Sequence, residues 1–196
     1  MLQLISLSLL ALATPQDSDK VKAIVDKAVA AHGGADKLLR TFRWKEKYYF
    51  GEETKGTIRQ ASLVPPEEWW AGPKNIAAGS ADRSDKTYLV WVWTLVPLLD
   101  KDSKLALLPD LEVDGKPAAG LKISREGRKD ISLYFTKDTG RLARIDWRTF
   151  HVTFENWKEH DGAHYPAKAV VHRKDGGVHL WTEFLELERV KTPPGR

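Results

Sequence analysis

The chain has 196 residues, of which 42% are hydrophobic and 30% charged, proportions typical of one soluble globular domain. Its net charge of +4 comes from 31 basic and 27 acidic residues, without a long run of one sign, which argues against nucleic-acid binding. The absence of cysteine excludes disulfides, thiol catalysis and thiolate metal sites.

The first residues predict export. Leu2–Leu12 is an apolar run broken by a glutamine and two serines, and Ala11-Leu12-Ala13 at its end has the small-x-small pattern of a cleavage site. This pattern predicts a signal peptide over residues 1–13, with cleavage after Ala13, and a periplasmic or otherwise extracytoplasmic location. The run is shorter than the ~20 residues that a membrane-spanning helix needs. We therefore expect a single domain over residues 14–192 without a transmembrane segment, and a loose tail over 193–196.

An amphipathic helix is predicted next, over Lys20–His32. Small apolar residues recur there at helical spacing, with lysines and aspartates on the other side. Asp17 or Ser18 can cap its start, because a short side-chain oxygen accepts first-turn N–H groups. Gly33-Gly34 ends it, because glycine adopts the left-handed conformation at little cost.

From Phe42 onward the hydrophobic period changes to two, which predicts β-strands. Apolar and polar residues alternate in strand after strand, and the turns between them are rich in Asp and Gly. The predicted strands are Phe42–Phe50, Gly56–Val64, Glu68–Ala71, segments around Leu121–Ile123, Ile131–Phe135, Ala143–Trp147 and Phe150–Phe154, and Val178 to about Glu188. The clearest hairpin turns are Asp138-Thr139-Gly140, Asp161-Gly162 and Asp175-Gly176. This spacing favours an antiparallel meander.

One segment, Thr87–Leu99, has two interpretations. Its aromatic and β-branched residues favour a strand, whereas its length and its apolar character on all sides favour a buried helix that ends at Pro97.

Several segments, taken in order, carry a family resemblance. They are Ala30-Ala31-His32-Gly33-Gly34 with Lys37-Leu38; Leu95-Val96-Pro97-Leu98-Leu99-Asp100; Val113-Asp114-Gly115-Lys116-Pro117-Ala118; Gly127–Phe135 with Lys137-Asp138-Thr139-Gly140; and Asp161-Gly162 with Tyr165-Pro166. Together they resemble the bacterial outer-membrane lipoprotein-sorting proteins, a family similar to the periplasmic carrier LolA. The resemblance implies an α+β fold: a curved antiparallel sheet, or unclosed β-barrel, covered by the N-terminal helix and a second short helix. It also implies that Tyr88–Val96 is helical and that the protein binds acyl chains or a lipidated partner without catalysis.

The eight tryptophans give a physical reason to expect an apolar hollow. The predicted sheet carries a large aromatic face, whereas the one clear amphipathic helix offers only valines, an isoleucine and alanines to cover it. Either Thr87–Leu99 closes this face or an apolar ligand does. The predicted ligand-contacting residues are Phe42, Trp44, Tyr48, Trp91, Leu95, Leu133, Phe135, Ile145 and Trp147.

Two rival functions have weaker support. A cell-envelope protein-interaction module would have a filled core and would dock through Trp69-Trp70 and the basic face of the first strand. A metal-dependent hydrolase would use the histidine-rich hairpins: a two-residue turn at Asp175-Gly176 would place His172 opposite His179, near Glu183. His160 and His164, which flank another turn, are predicted to face solvent. No catalytic residue, metal ligand or cofactor is assigned, because no nucleophile, metalloprotease, phosphate-loop or dinucleotide motif is present.

Overall fold

The computed structural model describes residues 15–64, 68–71, 74–75 and 81–190. The predicted signal peptide and the predicted tail therefore lie outside the described residues. In chain order the elements are α1 (Pro15–Ala31), β1 (Phe42–Phe50), β2 (Thr57–Val64), β3 (Glu68–Ala71), β4 (Lys74–Asn75), α2 (Ala81–Val92), a 3-10 helix (Val96–Leu99), β5 (Ser103–Val113), β6 (Lys116–Arg125), β7 (Ile131–Thr136), β8 (Leu142–Trp147), β9 (Phe150–His160), β10 (Ala163–Arg173) and β11 (Val178–Arg189).

The strands form one curved antiparallel sheet that is not closed. Its order is β4-β3-β2-β1-β11-β10-β9-β8-β7-β6-β5, so the two outer strands of the described sheet, β4 and β5, do not pair with each other. From β5 to β11 each strand pairs with the next, which is the predicted meander. The last strand then pairs with the first, with Phe42 opposite Arg189. The predicted α+β fold with an unclosed sheet is confirmed.

Helix α1 begins earlier than predicted but ends at the predicted glycines. It begins at Pro15, so the expected caps Asp17 and Ser18 lie inside its first turn. Gly33 and Gly34 have φ angles of +103° and +93°, the left-handed conformation that stops the helix.

The segment with two interpretations is helical, not extended. Helix α2 ends at Val92, and a turn leads into the 3-10 helix that contains Pro97. The expected helix over Tyr88–Val96 is therefore correct up to Val92 and wrong for the next three residues. Of the helices in the described ranges, none combines the length and the apolarity that crossing a membrane requires.

Both helices pack against the same face of the sheet, which we call the inner face. One buried cluster joins Val25, Ala28 and Val29 of α1 to Tyr88, Trp91 and Val92 of α2 and to the large apolar side chains of the strands. Burial of each large apolar side chain contributes about 1.5–3 kcal/mol. This cluster is therefore the main source of stability and the place where a ligand-binding hollow would lie.

Candidate ligand-binding site

Eight of the nine predicted ligand-contacting residues meet in the buried cluster on the inner face. They are Phe42, Trp44, Trp91, Leu95, Leu133, Phe135, Ile145 and Trp147. None of these eight has more than 6% of its surface exposed. Tyr48 lies outside the cluster, where its ring contacts Phe50 and the guanidinium of Arg59. The sequence therefore predicted which side chains come together, and the structure shows these eight covered.

The cover is supplied by the chain itself, through α2 and the turn that follows it. Tyr88, Trp91 and Leu95 are buried against the strands. Trp93, which was absent from the predicted set, stacks on Phe184 with ring centroids 5.1 Å apart and on Phe154 with centroids 6.1 Å apart. Of the two expected ways to close the aromatic face, the structure therefore shows closure by the Thr87–Leu99 segment.

A small cavity of about 20 Å³ remains behind the cover. It is lined by His32, Leu38, Leu39, Phe42, Trp93, Thr94, Ala163, His164, Tyr165 and Leu187. A space of ~10–15 Å³ holds one water molecule, so this cavity is far too small for an acyl chain. Binding of a chain-length ligand on the inner face would require α2 to move.

Polar contacts hold the N-terminal half of α2 to the strand turns. Asp85 accepts a hydrogen bond from Arg148 of the β8–β9 turn, at 2.7 Å, and this ion pair is mostly buried on the aspartate side. Ser84 accepts a hydrogen bond from Arg128 of the β6–β7 turn. The guanidinium of Arg125 lies 5.3 Å from the ring centroid of Trp91. Polar side chains from the strands and their turns thus hold the cover at a partly buried margin.

The middle of the cover, in contrast, buries polar atoms that have no hydrogen-bond partner among the described residues. The hydroxyl of Tyr88 and the indole N–H groups of Trp91, Trp93 and Trp147 have no hydrogen-bond partner among the described residues. Burial raises the pKa of Tyr88 to about 12. Each unpaired buried group costs about 1–3 kcal/mol. The closed arrangement therefore combines strong apolar burial with a polar cost of several kcal/mol.

Leu95 adds backbone strain at the end of the cover. Its φ is +62°, in the left-handed region, although its side chain is fully buried. For a residue with a Cβ this conformation costs roughly 1–2 kcal/mol. The strained residue connects α2 to the 3-10 helix, which is the position where a hinge for the cover would lie.

His32 links the end of α1 to the cavity. Its ring Nδ1 is 2.7 Å from the carbonyl oxygen of Ala28, which assigns the proton to Nδ1, and its buried Nε2 has no partner among the described residues. Burial lowers the pKa of His32 to about 4, outweighing the hydrogen bond to Ala28, and the nearby His164 and Arg141 lower it further. The folded protein therefore keeps this ring neutral.

The pH dependence of stability follows from His32. Because the pKa is about 4 in the folded protein and 6.5 ordinarily, the unfolded chain binds the proton first as the pH falls. The contribution of the neutral ring is complete above pH 6.5 and is lost progressively down to about pH 4, by roughly 3 kcal/mol in total. Denaturant unfolding of the wild type and of His32→Gln at several pH values measures this. Parallel pH profiles for the two proteins would contradict the assignment.

The predicted histidine pair is wrong. The β10–β11 hairpin contains a register shift, which places His172 opposite Val178 instead of His179. His172 stacks instead on His151 of β9, with ring centroids 4.6 Å apart, and its Nε2 is 3.1 Å from the hydroxyl of Thr153. Within the described ranges, no group of three or more histidine, aspartate or glutamate side chains is arranged to hold a metal ion.

The surface suggested for protein docking is less basic than its sequence indicates. Arg43 pairs with Glu188, and Lys45 pairs with Glu186 at 3.0 Å, both on the neighbouring strand β11. The charge of this strand face is thus largely neutralised. Trp70 is partly buried in β3, and the side chain of Trp69 lies outside the described part of the structure.

Sequence reasoning also missed an ion pair on β1 whose carboxylate is buried. Glu46 is 3% exposed, and its carboxylate accepts hydrogen bonds from Arg59 of β2 and from the hydroxyl of Thr182. The sequence analysis assigned no role to Glu46. The alternation along β1 nevertheless places this carboxylate on the strand face of Phe42 and Trp44, and that position is the signal that could have found it.

Comparisons with solved structures identify the fold. A domain named for outer membrane lipoprotein sorting, from Vibrio parahaemolyticus, superposes with a TM-score of 0.57 at 10% identity, over 90% of this chain and 95% of that one. A LolA superfamily protein from Nitrosomonas europaea gives 0.54 at 10% identity, over 88% and 94%. This chain has a LolA-like fold. A DUF1329 family protein from Desulfovibrio piger shares the LolA-like fold, with a TM-score of 0.54 at 16% identity over 88% and 94%.

The comparisons with solved structures show the fold of this chain. No family model matches this chain, and no curated protein matches its sequence. The resemblance of the sequence segments is therefore confirmed at the level of architecture.

Proposed function

We propose that the protein is an extracytoplasmic, non-catalytic binding protein for an apolar or acylated ligand, such as a lipid or a lipidated partner. The ligand would bind on the inner face after α2 moves aside. The observation that carries this proposal is the cover of this LolA-like fold, which buries the N–H groups of Trp91 and Trp93 and the Tyr88 hydroxyl without partners among the described residues and ends at a strained Leu95. The location rests on the apolar run Leu2–Leu12.

The magnitudes favour a cover that a ligand can replace. Burial of Tyr88, Trp91, Val92 and Leu95 contributes roughly 6–12 kcal/mol at about 1.5–3 kcal/mol each, which is comparable to the polar and backbone costs of the closed state, about 5–14 kcal/mol in total. An acyl chain regains this burial at about 0.8 kcal/mol per CH₂ group. Opening lets water reach the unpaired N–H and hydroxyl groups. A ligand of ten or more CH₂ groups can therefore compete with the cover.

Native mass spectrometry of gently purified protein is the direct test. We expect a population heavier than the polypeptide by the mass of a bound lipid, or binding of a fluorescent fatty acid when the protein is isolated empty. A bare polypeptide mass together with no fatty-acid binding would remove the proposal.

The Asp85–Arg148 ion pair offers a mutational test. Replacing Asp85 by alanine weakens the closed state by about 1 kcal/mol, which raises the open fraction about fivefold. Because apparent affinity scales with the competent fraction, the apparent Kd for the fluorescent fatty acid should fall about fivefold. Glu155→Ala is the matched control, since it removes the Lys168–Glu155 pair, which lies away from α2, and it should leave the Kd unchanged. A Kd that is the same in Asp85→Ala and wild type would mean that α2 is not the cover that ligand displaces.

The close packing of the described inner face supports a second candidate, a cell-envelope protein-interaction module. The cavity behind the cover, about 20 Å³, has the size expected in a module without a ligand. This candidate predicts no lipid in the native mass spectrum and capture of an envelope protein by the immobilised chain. The fatty-acid titration separates the two candidates.

A further inference from the structure

A solvent-open depression of about 650 Å³ lies at the end of the sheet where the β8–β9 and β10–β11 turns meet. Its lining residues are Thr149, Phe150, Arg173, Lys174, Asp175 and His179. The rings of Phe150 and His179 lie 5.2 Å apart and form one wall. The depression is separate from the small cavity behind α2, with which it shares no lining residue.

The charge of this depression favours an anion. Its one carboxylate, Asp175, accepts a hydrogen bond from the backbone N–H of Gly177 at 3.0 Å and so is used to shape the turn. The same carboxylate lies 3.9 Å from Nε of Arg173, at the outer limit of an ion pair, and the Arg173 side chain is 52% exposed. Lys174 is exposed on the same turn. The lining therefore has two positively charged side chains and one hydroxyl-bearing residue against a single carboxylate, which already accepts a hydrogen bond from the turn.

The depression also lies next to the apolar core and to the Asp85–Arg148 ion pair that holds α2. Phe150 packs against the buried cluster of the inner face as well as lining the depression. Arg148, which holds Asp85 of α2, directly precedes Thr149 in the chain. A ligand whose tail lay under the displaced α2 would therefore have its polar end near these turns.

We propose that the depression binds the phosphate headgroup of an anionic amphiphile. This inference rests on the proposed function, since the tail requires the inner face. Arginine and lysine are the side chains that bind phosphate oxygens best, the first by its planar fork and the second as a point charge. The ring pair of Phe150 and His179 provides an apolar wall for the first part of the tail.

The test compares three probes at low ionic strength by calorimetry: dodecyl phosphate, dodecyl maltoside with the same tail and an uncharged head, and inorganic phosphate. The wild type should bind dodecyl phosphate about tenfold more tightly than dodecyl maltoside. The double variant Arg173→Gln/Lys174→Gln should lose this preference and keep its affinity for dodecyl maltoside, which also reports that it is folded. Lys168→Gln, on the other side of the sheet, should behave as the wild type.

Four results would overturn the inference, and they lead to three different conclusions. Equal binding of both amphiphiles by the wild type, or a preference that survives in the double variant, would remove the headgroup site and leave the proposed carrier function intact. Binding of neither amphiphile would remove both. Inorganic phosphate binding as tightly as dodecyl phosphate would assign the depression to a free anion without a tail.

Discussion

Replacing Gly33 by alanine should lower the free energy of unfolding by about 3 kcal/mol or more, and the Tm by roughly 10 °C. Gly33 has a φ of +103°, and a Cβ placed on it would overlap the carbonyl oxygen of Gly162 in the β9–β10 turn. That turn also receives the end of α1 through the hydrogen bond from His164 N–H to His32 C=O, at 3.1 Å. The added methyl group must therefore push the helix end away from the sheet. Thermal unfolding followed by circular dichroism measures the loss.

Gly34 provides the matched control for this substitution. Its φ of +93° is as unfavourable for alanine, but apart from its chain neighbours no atom of the described residues lies within 4 Å of a Cβ built there. Gly34→Ala should therefore cost only the backbone term, about 1–2 kcal/mol. Equal losses in the two variants would show that the contact with Gly162 contributes nothing and that backbone conformation alone explains both.

The strands were predictable because their alternation reflects a sheet with one buried face. Phe42 and Trp44, or Leu133 and Phe135, point to the same side in any regular strand, so their cluster followed from local pattern alone. Strand β5 was missed because its alternation is short: Leu105 and Leu107 share a face, but Leu108 and Pro109 then break the pattern. Where the period is lost, local pattern no longer distinguishes a strand from a loop.

Helix α2 shows what local pattern leaves undecided. Its aromatic residues suit a strand and a buried helix equally, and the family resemblance, not propensity, favoured the helix. The structure gives the physical reason, since Tyr88, Trp91 and Leu95 supply the bulk that the valines and alanines of α1 lack. The sequence shows that α1 is too small to cover the aromatic face. It does not show that the Thr87–Leu99 segment packs there, because that depends on the tertiary fold.

The site was less predictable than the fold because it depends on single-residue geometry. One register shift in the β10–β11 hairpin separated His172 from His179 and removed the proposed metal pair. The pairing of Arg43 with Glu188 and of Lys45 with Glu186 likewise neutralised a face that looks basic in the sequence of β1. Both outcomes depend on which residues of a neighbouring strand lie opposite, and the sequence of one strand does not contain that information.

Replacing Trp93 by alanine should separate the stability of the cover from its role in binding. The ring stacks between Phe154 and Phe184 and lines the small cavity, so its removal should lower the free energy of unfolding by about 3 kcal/mol. It should also open part of the inner face to ligand without movement of α2. We therefore expect tighter binding of a fluorescent fatty acid than in the wild type, measured by titration, together with a lower midpoint of denaturant unfolding.

Trp181→Ala is the control. It distinguishes binding in the space left by Trp93 on the inner face from binding caused by a general loss of packing. Trp181 stacks on Tyr49 with ring centroids 3.6 Å apart and lies outside the inner-face cluster, so its loss should cost about 1 kcal/mol and leave fatty-acid binding unchanged. Tighter binding in both variants would indicate that the probe reports loosened packing. Tighter binding in neither variant, with Trp93→Ala still folded, would mean that vacated apolar surface on this face does not recruit an acyl chain. The filled-core interaction module would then be the better account of the protein.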